Sequence, residues 1–151
     1  PTDARLYFLK GSLLVGLKRF IGAHEAMKKA VELAPDFALA RFQLGFFELT
    51  SGEAATAMQT WHPLKSLPTS NYLYHMVDGL EHLIADRFEA CIVSLRAGIA
   101  ANDENQPLNT DMELIIAKCT ELSGGNSESD HDQSEVSATS LLLGRTSHRG
   151  H

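Results

Sequence analysis

The chain has 151 residues and a formal charge of -6, from 13 Lys and Arg against 19 Asp and Glu. This length suits one domain with a sizeable core. The acidic balance predicts no binding of nucleic acid and no binding of a membrane surface. Two cysteines without metal-ligand spacing argue against a disulfide scaffold or a zinc module. No stretch reaches the roughly 18 apolar residues of a membrane span, so we expect a cytoplasmic protein.

Seven amphipathic segments with helical spacing follow one another along the chain. Thr2 or Asp3 is a predicted cap of the first helix. Pro63 should end or kink the fourth, because proline lacks an amide hydrogen and its ring clashes with the preceding turn. The predicted helices are Thr2–Lys18, Ile21–Leu33, Phe37–Thr50, Glu53–His62, Asn71–Ala85, Arg87–Ala101 and Thr110–Leu122.

Three further features define where these helices start. Asp36 and Asp86 are predicted caps of the third and sixth helices. The polar stretch 102–109 contains Pro107 and predicts a loop. Thr110, followed three residues later by Glu113, is typical of a capping box that begins the seventh helix.

Small and bulky residues recur with a period of 34 residues. Glycine leaves room where one helix crosses its partner, and a small residue twelve positions later is expected in the facing helix. The recurring sets are Gly11, Gly45 and Gly79; Ala23, Ala57 and Cys91; and Met27, Trp61 and Leu95. The sequence therefore predicts three helix-turn-helix units that pack in the same way.

A 34-residue helix-turn-helix period with this pattern resembles the tetratricopeptide repeat (TPR) family. The first copy fits best, and the second and third depart from the family pattern at several positions. The residues that carry the resemblance in the first copy are Tyr7, Gly11, Leu14, Phe20, Ala23, Met27, Ala30 and Pro35. The resemblance implies an all-α fold, a right-handed α-solenoid of antiparallel helix pairs with about seven helices.

The resemblance also implies a division of the chain. We expect a TPR domain over 1–123, with repeats at about 4–37, 38–71 and 72–105. The last helix, at about 108–122, should cap the array with a polar outer face. Residues 124–151 are rich in Gly, Ser and acidic residues and predict a flexible, disordered tail.

In TPR proteins the first helix of each repeat lines a concave groove, and these positions can be carried over to this chain. The implied partner-binding residues are Phe8, Ser12, Leu39, Phe42, Phe46, Leu73, Met76 and Leu80. In the third repeat, however, polar residues occupy the expected inner positions. A rotated fifth helix, whose apolar stripe belongs to the core, is therefore the alternative. The apolar stripe of the second repeat can belong to the core in the same way.

No catalytic or cofactor motif occurs in the sequence, so we predict no enzyme, no catalytic residue and no cofactor. His75, Asp78 and His82 share one face of the fifth helix, and such residues can ligate zinc or iron. A solvated polar face is the alternative, and we predict no metal site.

The resemblance implies a non-catalytic protein–protein interaction module of the adaptor or co-chaperone type, which binds a peptide or helical segment in its concave groove. Two alternatives stay open. The first is a chaperone like the class II chaperones of type III secretion. The second is a structural subunit whose groove is filled by a permanent partner or by a second copy in a homodimer.

Overall fold

Helices account for most of residues 3–124, the part of the chain that the structure, a computed structural model, describes. The seven α-helices are α1 (Ala4–Gly16), α2 (Phe20–Leu33), α3 (Ala38–Thr50), α4 (Ala54–Trp61), α5 (Tyr72–Ile84), α6 (Phe88–Ala101) and α7 (Gln106–Gly124). A 3₁₀ helix, His62–Ser66, follows α4, and no strand occurs in this part of the chain. The predicted all-α class is confirmed. The predicted disordered tail lies outside the described residues, apart from Gly124.

The chain divides into two units, Pro1–Leu64 and Lys65–His151. In the first unit, α1 packs against α2, α2 against α3, and α3 against α4. In the second unit, α5 packs against α6, and α6 against α7. Helices that are adjacent in sequence are thus neighbours within each unit. None of the described helices is long and apolar enough to cross a bilayer.

The turn inside each helix pair has the same backbone geometry three times. Lys18, Gly52 and Asp86 have φ angles of 62°, 89° and 61°, in the left-handed region. In each turn the next amide donates to a carbonyl five residues earlier, at 2.9 Å: Arg19 to Leu14, Glu53 to Glu48, and Arg87 to His82. Because equivalent positions are 34 residues apart, the period of the sequence is also a period of the backbone.

The three crossing glycines have the role that the sequence predicts. A Cβ atom on Gly11 would lie 2.7 Å from Met27 Cγ, and one on Gly79 would lie 2.6 Å from Leu95 Cδ2. On Gly45 it would overlap the Trp61 indole. In each pair the bulky residue sixteen positions later fills the space that the glycine leaves. All three helix pairs therefore close through the same contact.

The end of α4 also matches the prediction. The α-helix ends at Trp61, and Pro63 lies in the 3₁₀ helix that follows. Trp61 is fully buried, and its Nε1 donates to the carbonyl oxygen of Phe42 at 3.1 Å. Trp61 is thus a core residue.

The predicted caps are correct at one position and wrong at two. Asp3 caps α1, because its carboxylate accepts from the amide of Arg5 at 2.9 Å. The predicted caps Asp36 and Asp86 are wrong. The cap residues of α3 and α6 are Phe37 and Arg87, and neither makes a capping bond with its side chain.

The predicted start of α7 is wrong as well. The helix begins at Gln106, so Thr110 lies inside it, and Pro107 occupies the first turn, where a missing amide hydrogen costs little. Asn102, which is 5% exposed, holds the turn before α7 through the hydrogen bonds of its side chain. Its Oδ1 accepts from the amides of Glu104 and Asn105 at 3.2 and 3.0 Å, and its Nδ2 donates to Asn109 Oδ1 at 2.8 Å.

Candidate functional site

One face of α1 leaves a row of leucines open to solvent. Leu6, Leu9 and Leu13 follow steps of three and four residues, which place them on one side of the helix, and Leu17, four residues later, is its C-cap residue. Their exposed fractions are 53%, 55%, 61% and 67%. We call these four residues the leucine stripe.

The exposed apolar surface continues past the end of α1. Phe20 and Ile21, the first residues of α2, are exposed by 38% and 80%, and Val15, within α1 but away from the leucine stripe, is exposed by 37%. Of the ten large hydrophobic residues that are exposed within residues 3–124, seven lie between positions 6 and 21. Single exposed leucines are normal on a protein surface, but a concentration of this kind makes the region a candidate interaction site.

The opposite face of α1 holds the helix in place. Gly11 lies against Met27 of α2, as described above. Ala4 is buried with Ala30 and Ala40, and the half-buried Tyr7 and Phe8 pack against this cluster. Since the packing of α1 uses this face, the leucine stripe is left uncovered on a helix that is otherwise well anchored.

Basic side chains border the leucine stripe. Lys10 lies between Leu6 and Leu13 on the helix surface, and Lys18 and Arg19 follow in the turn. Arg5, next to Leu9, pairs with Asp3 at 3.1 Å, and this contact lowers the pKa of the Asp3 carboxyl. Residues 3–19 carry four basic side chains and one acid, a charge of +3 in a chain of overall charge -6.

A cleft of about 280 Å³ opens beside Phe20 and Ile21. His24 stacks on Phe47 with ring centres 5.6 Å apart, and its Nε2 lies 3.5 Å from Glu48 Oε2. Glu48 is 6% exposed, and its Oε1 accepts from the hydroxyl of Thr60 at 2.7 Å. The buried carboxylate of Glu48 thus has polar partners for both of its oxygens. The cleft has aromatic walls and an acidic border that includes two more glutamates, Glu25 and Glu53.

The eight predicted groove residues differ in exposure. Phe8, Leu39 and Phe46 are half-buried, and Ser12 is exposed. The other four have exposed fractions of 3% or less: Phe42, Leu73, Met76 and Leu80. A partner cannot reach these four side chains on the surface described. The groove as a binding site stays a prediction, and only the first four residues offer it accessible side chains.

The arrangement of α5 corresponds to the rotated helix that the sequence left as an alternative. Its apolar residues Leu73, Met76 and Leu80 are buried, whereas Asp78 is exposed. His75 Nε2 lies 2.6 Å from the carbonyl oxygen of Thr69, and His82 Nε2 lies 3.5 Å from Asp78 Oδ2. Within residues 3–124, no group of three or more His, Cys, Asp or Glu side chains is placed to hold a metal ion.

The two cysteines meet in the second unit. Cys91 Sγ and Cys119 Sγ lie 3.9 Å apart, and both residues are free thiols with no exposed surface. The contact with Cys119, together with burial, raises the pKa of the Cys91 thiol. A buried, protonated thiol is a poor nucleophile, so Cys91 acts here as a small core residue that joins α6 to α7.

The sequence alone did not identify the leucine stripe as a site. The signal was present in the steps of three, four and four residues on the side of α1 away from Gly11. An apolar helix face indicates burial in most proteins, and only the structure shows that this one is uncovered.

Comparison with protein-family models, with curated proteins and with solved structures finds no match for this chain. The resemblance to TPR proteins therefore rests on the residues and on the 34-residue period.

Proposed function

We propose that this chain is a non-catalytic protein–protein interaction module of TPR type, which holds a peptide or helical segment of a partner protein on its first unit. One observation carries the proposal: the leucine stripe is more than half exposed on an anchored helix. Uncovered aliphatic surface of this extent is unfavourable in water, and a partner that covers it removes this penalty.

The groove predicted from the TPR resemblance forms a second part of the proposed contact surface. Phe8, Ser12, Leu39 and Phe46 are its accessible residues. Phe8 lies against Phe37 with ring centres 5.3 Å apart, and Phe46 stacks on Phe42 at 6.1 Å. These contacts hold both rings in fixed positions, so the rings themselves lose less side-chain entropy when a partner binds.

The energies favour a weak contact for a short peptide. Each stripe leucine is slightly more than half exposed, so covering it gains roughly 0.8 to 2 kcal/mol. The four together offset a large part of the association cost of about 4 to 15 kcal/mol. Tight binding therefore requires further contacts, which Phe20, Ile21 and the accessible groove residues can supply.

Site-specific photo-crosslinking tests the proposal. A photoreactive amino acid is placed at Leu13 in the leucine stripe, at Ser12 in the groove, and at Val93, which is 70% exposed in the second unit and serves as the control. After irradiation in an extract of the source cells, we expect the same protein adduct at Leu13 in repeated experiments and none at Val93. An adduct at Ser12 alone would identify the groove as the working surface. Equal labelling at all three positions would contradict the proposal.

A structural subunit that self-associates is the second candidate, and the uncovered leucine stripe favours it too, because symmetric pairing is a common way to cover such a face. Sedimentation velocity of the purified chain over a range of concentrations separates the two candidates. A stable dimer that Leu13→Glu converts to a monomer would establish the structural subunit, whereas a monomer at all concentrations supports the interaction module.

A further inference from the structure

We infer that the leucine stripe and its basic border bind an acidic amphipathic α-helix of a partner protein. The inference rests on the proposed function and adds the chemistry of the partner. It draws on the geometry of α1 and on the charges that surround the stripe.

The geometry favours a helical partner. From Leu6 to Leu17 the leucine stripe extends about 16 Å along a single helix, at the usual rise of about 1.5 Å per residue. The backbone amides and carbonyls of α1 are bonded within the helix, so this face offers no open edge to pair with an extended strand. A helix satisfies its own backbone groups and can pack its apolar residues between the leucines.

The charges favour an acidic partner. Within residues 3–124, no carboxylate lies at ion-pair distance from Lys10, Lys18 or Arg19. Lys10 adjoins the middle of the leucine stripe, and the other two follow its end. Carboxylates on either side of the partner helix's apolar face would therefore meet cations that have no ion-pair partner among residues 3–124. Lysines in the same places would be repelled.

The same charges disfavour a second copy of this chain. In a symmetric pair the same surface meets itself. Residues 3–19 carry a charge of +3 on each copy, so two such faces would bring like net charge together. The leucines alone favour neither an acidic partner helix nor a second copy, but the basic border favours the acidic helix.

Two synthetic peptides test the inference against the full chain. Each has roughly 18 residues, about five helical turns. Leucines repeat the spacing of the stripe, alanines fill the remaining positions, and the flanking positions carry glutamate in one peptide and lysine in the other. Binding of the labelled peptides is followed by fluorescence anisotropy at low salt and at about 0.5 M salt, where surface charges are largely screened.

We expect the glutamate peptide to bind at least about tenfold more tightly than the lysine peptide at low salt, and the difference to shrink at high salt. The double variant Lys10→Glu and Arg19→Glu should reverse the preference, and Leu13→Glu should abolish binding of both peptides. Lys118→Glu, an exposed change of the same charge on α7, is the matched control and should change neither affinity.

Each of the other possible outcomes overturns the inference, and each points to a different cause. If the lysine peptide binds as well as the glutamate peptide, the assigned charge is wrong, while the proposed function stands. If neither peptide binds but Leu13 still crosslinks to a partner, the partner is not an acidic helix. If the purified chain is a dimer that Leu13→Glu dissociates, the occupant is a second copy. If neither binding nor crosslinking occurs, the proposed function fails too.

Discussion

Replacing Gly45 with alanine should destabilise the first unit more than a single methyl group would suggest. The new Cβ atom would overlap Nε1 of Trp61 and lie 2.5 Å from two further atoms of the ring. Trp61 has no exposed surface, so the indole cannot move outward without opening the core. A shift of the ring also breaks the 3.1 Å hydrogen bond from Trp61 Nε1 to the Phe42 carbonyl.

These effects set the expected magnitude for Gly45→Ala. Overpacking in a core costs about 1 to 3 kcal/mol. Leaving a buried N–H group without a partner costs about 1 to 3 kcal/mol more. Alanine recovers at most about 1 kcal/mol, because it is a better helix former than glycine. The two costs together, less about 1 kcal/mol for helix propensity, predict that the free energy of unfolding falls by about 1 to 5 kcal/mol.

Urea unfolding measures this change. Trp61 is the only tryptophan of the chain, so its fluorescence reports on the first unit, and circular dichroism follows the helices as a whole. Gly16→Ala is the matched control, since a Cβ atom there would meet nothing within 4 Å. It should leave stability unchanged or raise it by up to about 1 kcal/mol. If Gly45→Ala unfolds at the same urea concentration as the wild type, the tight crossing at Trp61 is refuted.

Three further changes test other parts of the fold. Gly52→Ala should cost about 1 to 2 kcal/mol, because Gly52 has a φ of 89°, and equal urea midpoints for variant and wild type would contradict this strain. Asn102→Ala should cost about 1 to 3 kcal/mol and speed exchange of the Glu104 and Asn105 amides, which bond to Asn102; unchanged exchange there would show that these bonds do not hold the turn before α7. Burial, with the contact to Glu104, raises the pKa of Tyr72 to about 12, so the folded state keeps a proton that the unfolded state loses above pH 10. Stability should therefore fall as the pH rises from about 10 to 12, less steeply in Tyr72→Phe, and identical pH profiles of the two proteins would contradict the shift.

The sequence determined the helices and their period because those signals are local. The 34-residue recurrence predicted the three helix pairs, and the structure repeats it in the left-handed turn residues Lys18, Gly52 and Asp86. Pro63 set the end of α4 through its missing amide hydrogen and its ring. Gly11, the crossing glycine of the first pair, was recognisable because close helix approach leaves room for no side chain there.

The beginning of α7 was not readable in this way. Thr110 and Glu113 have the spacing of a capping box, but the helix starts four residues before Thr110. The side chain of Asn102 bonds the turn before the helix and also reaches Asn109, so contacts over seven residues outweigh the local cap signal. Pro107 looked like a loop residue, yet a first helical turn accepts proline well.

Only the tertiary structure decided which apolar faces are covered. The sequence shows that Phe42, Met76 and the leucine stripe lie on apolar helix faces, but it does not show what packs against each face. Phe42 and Met76 are buried, whereas the four leucines of the leucine stripe remain more than half exposed. Periodicity shows on which side a helix is apolar. Whether that side is buried depends on elements that are distant in sequence. The sequence pattern alone therefore cannot distinguish a core face from a candidate binding surface.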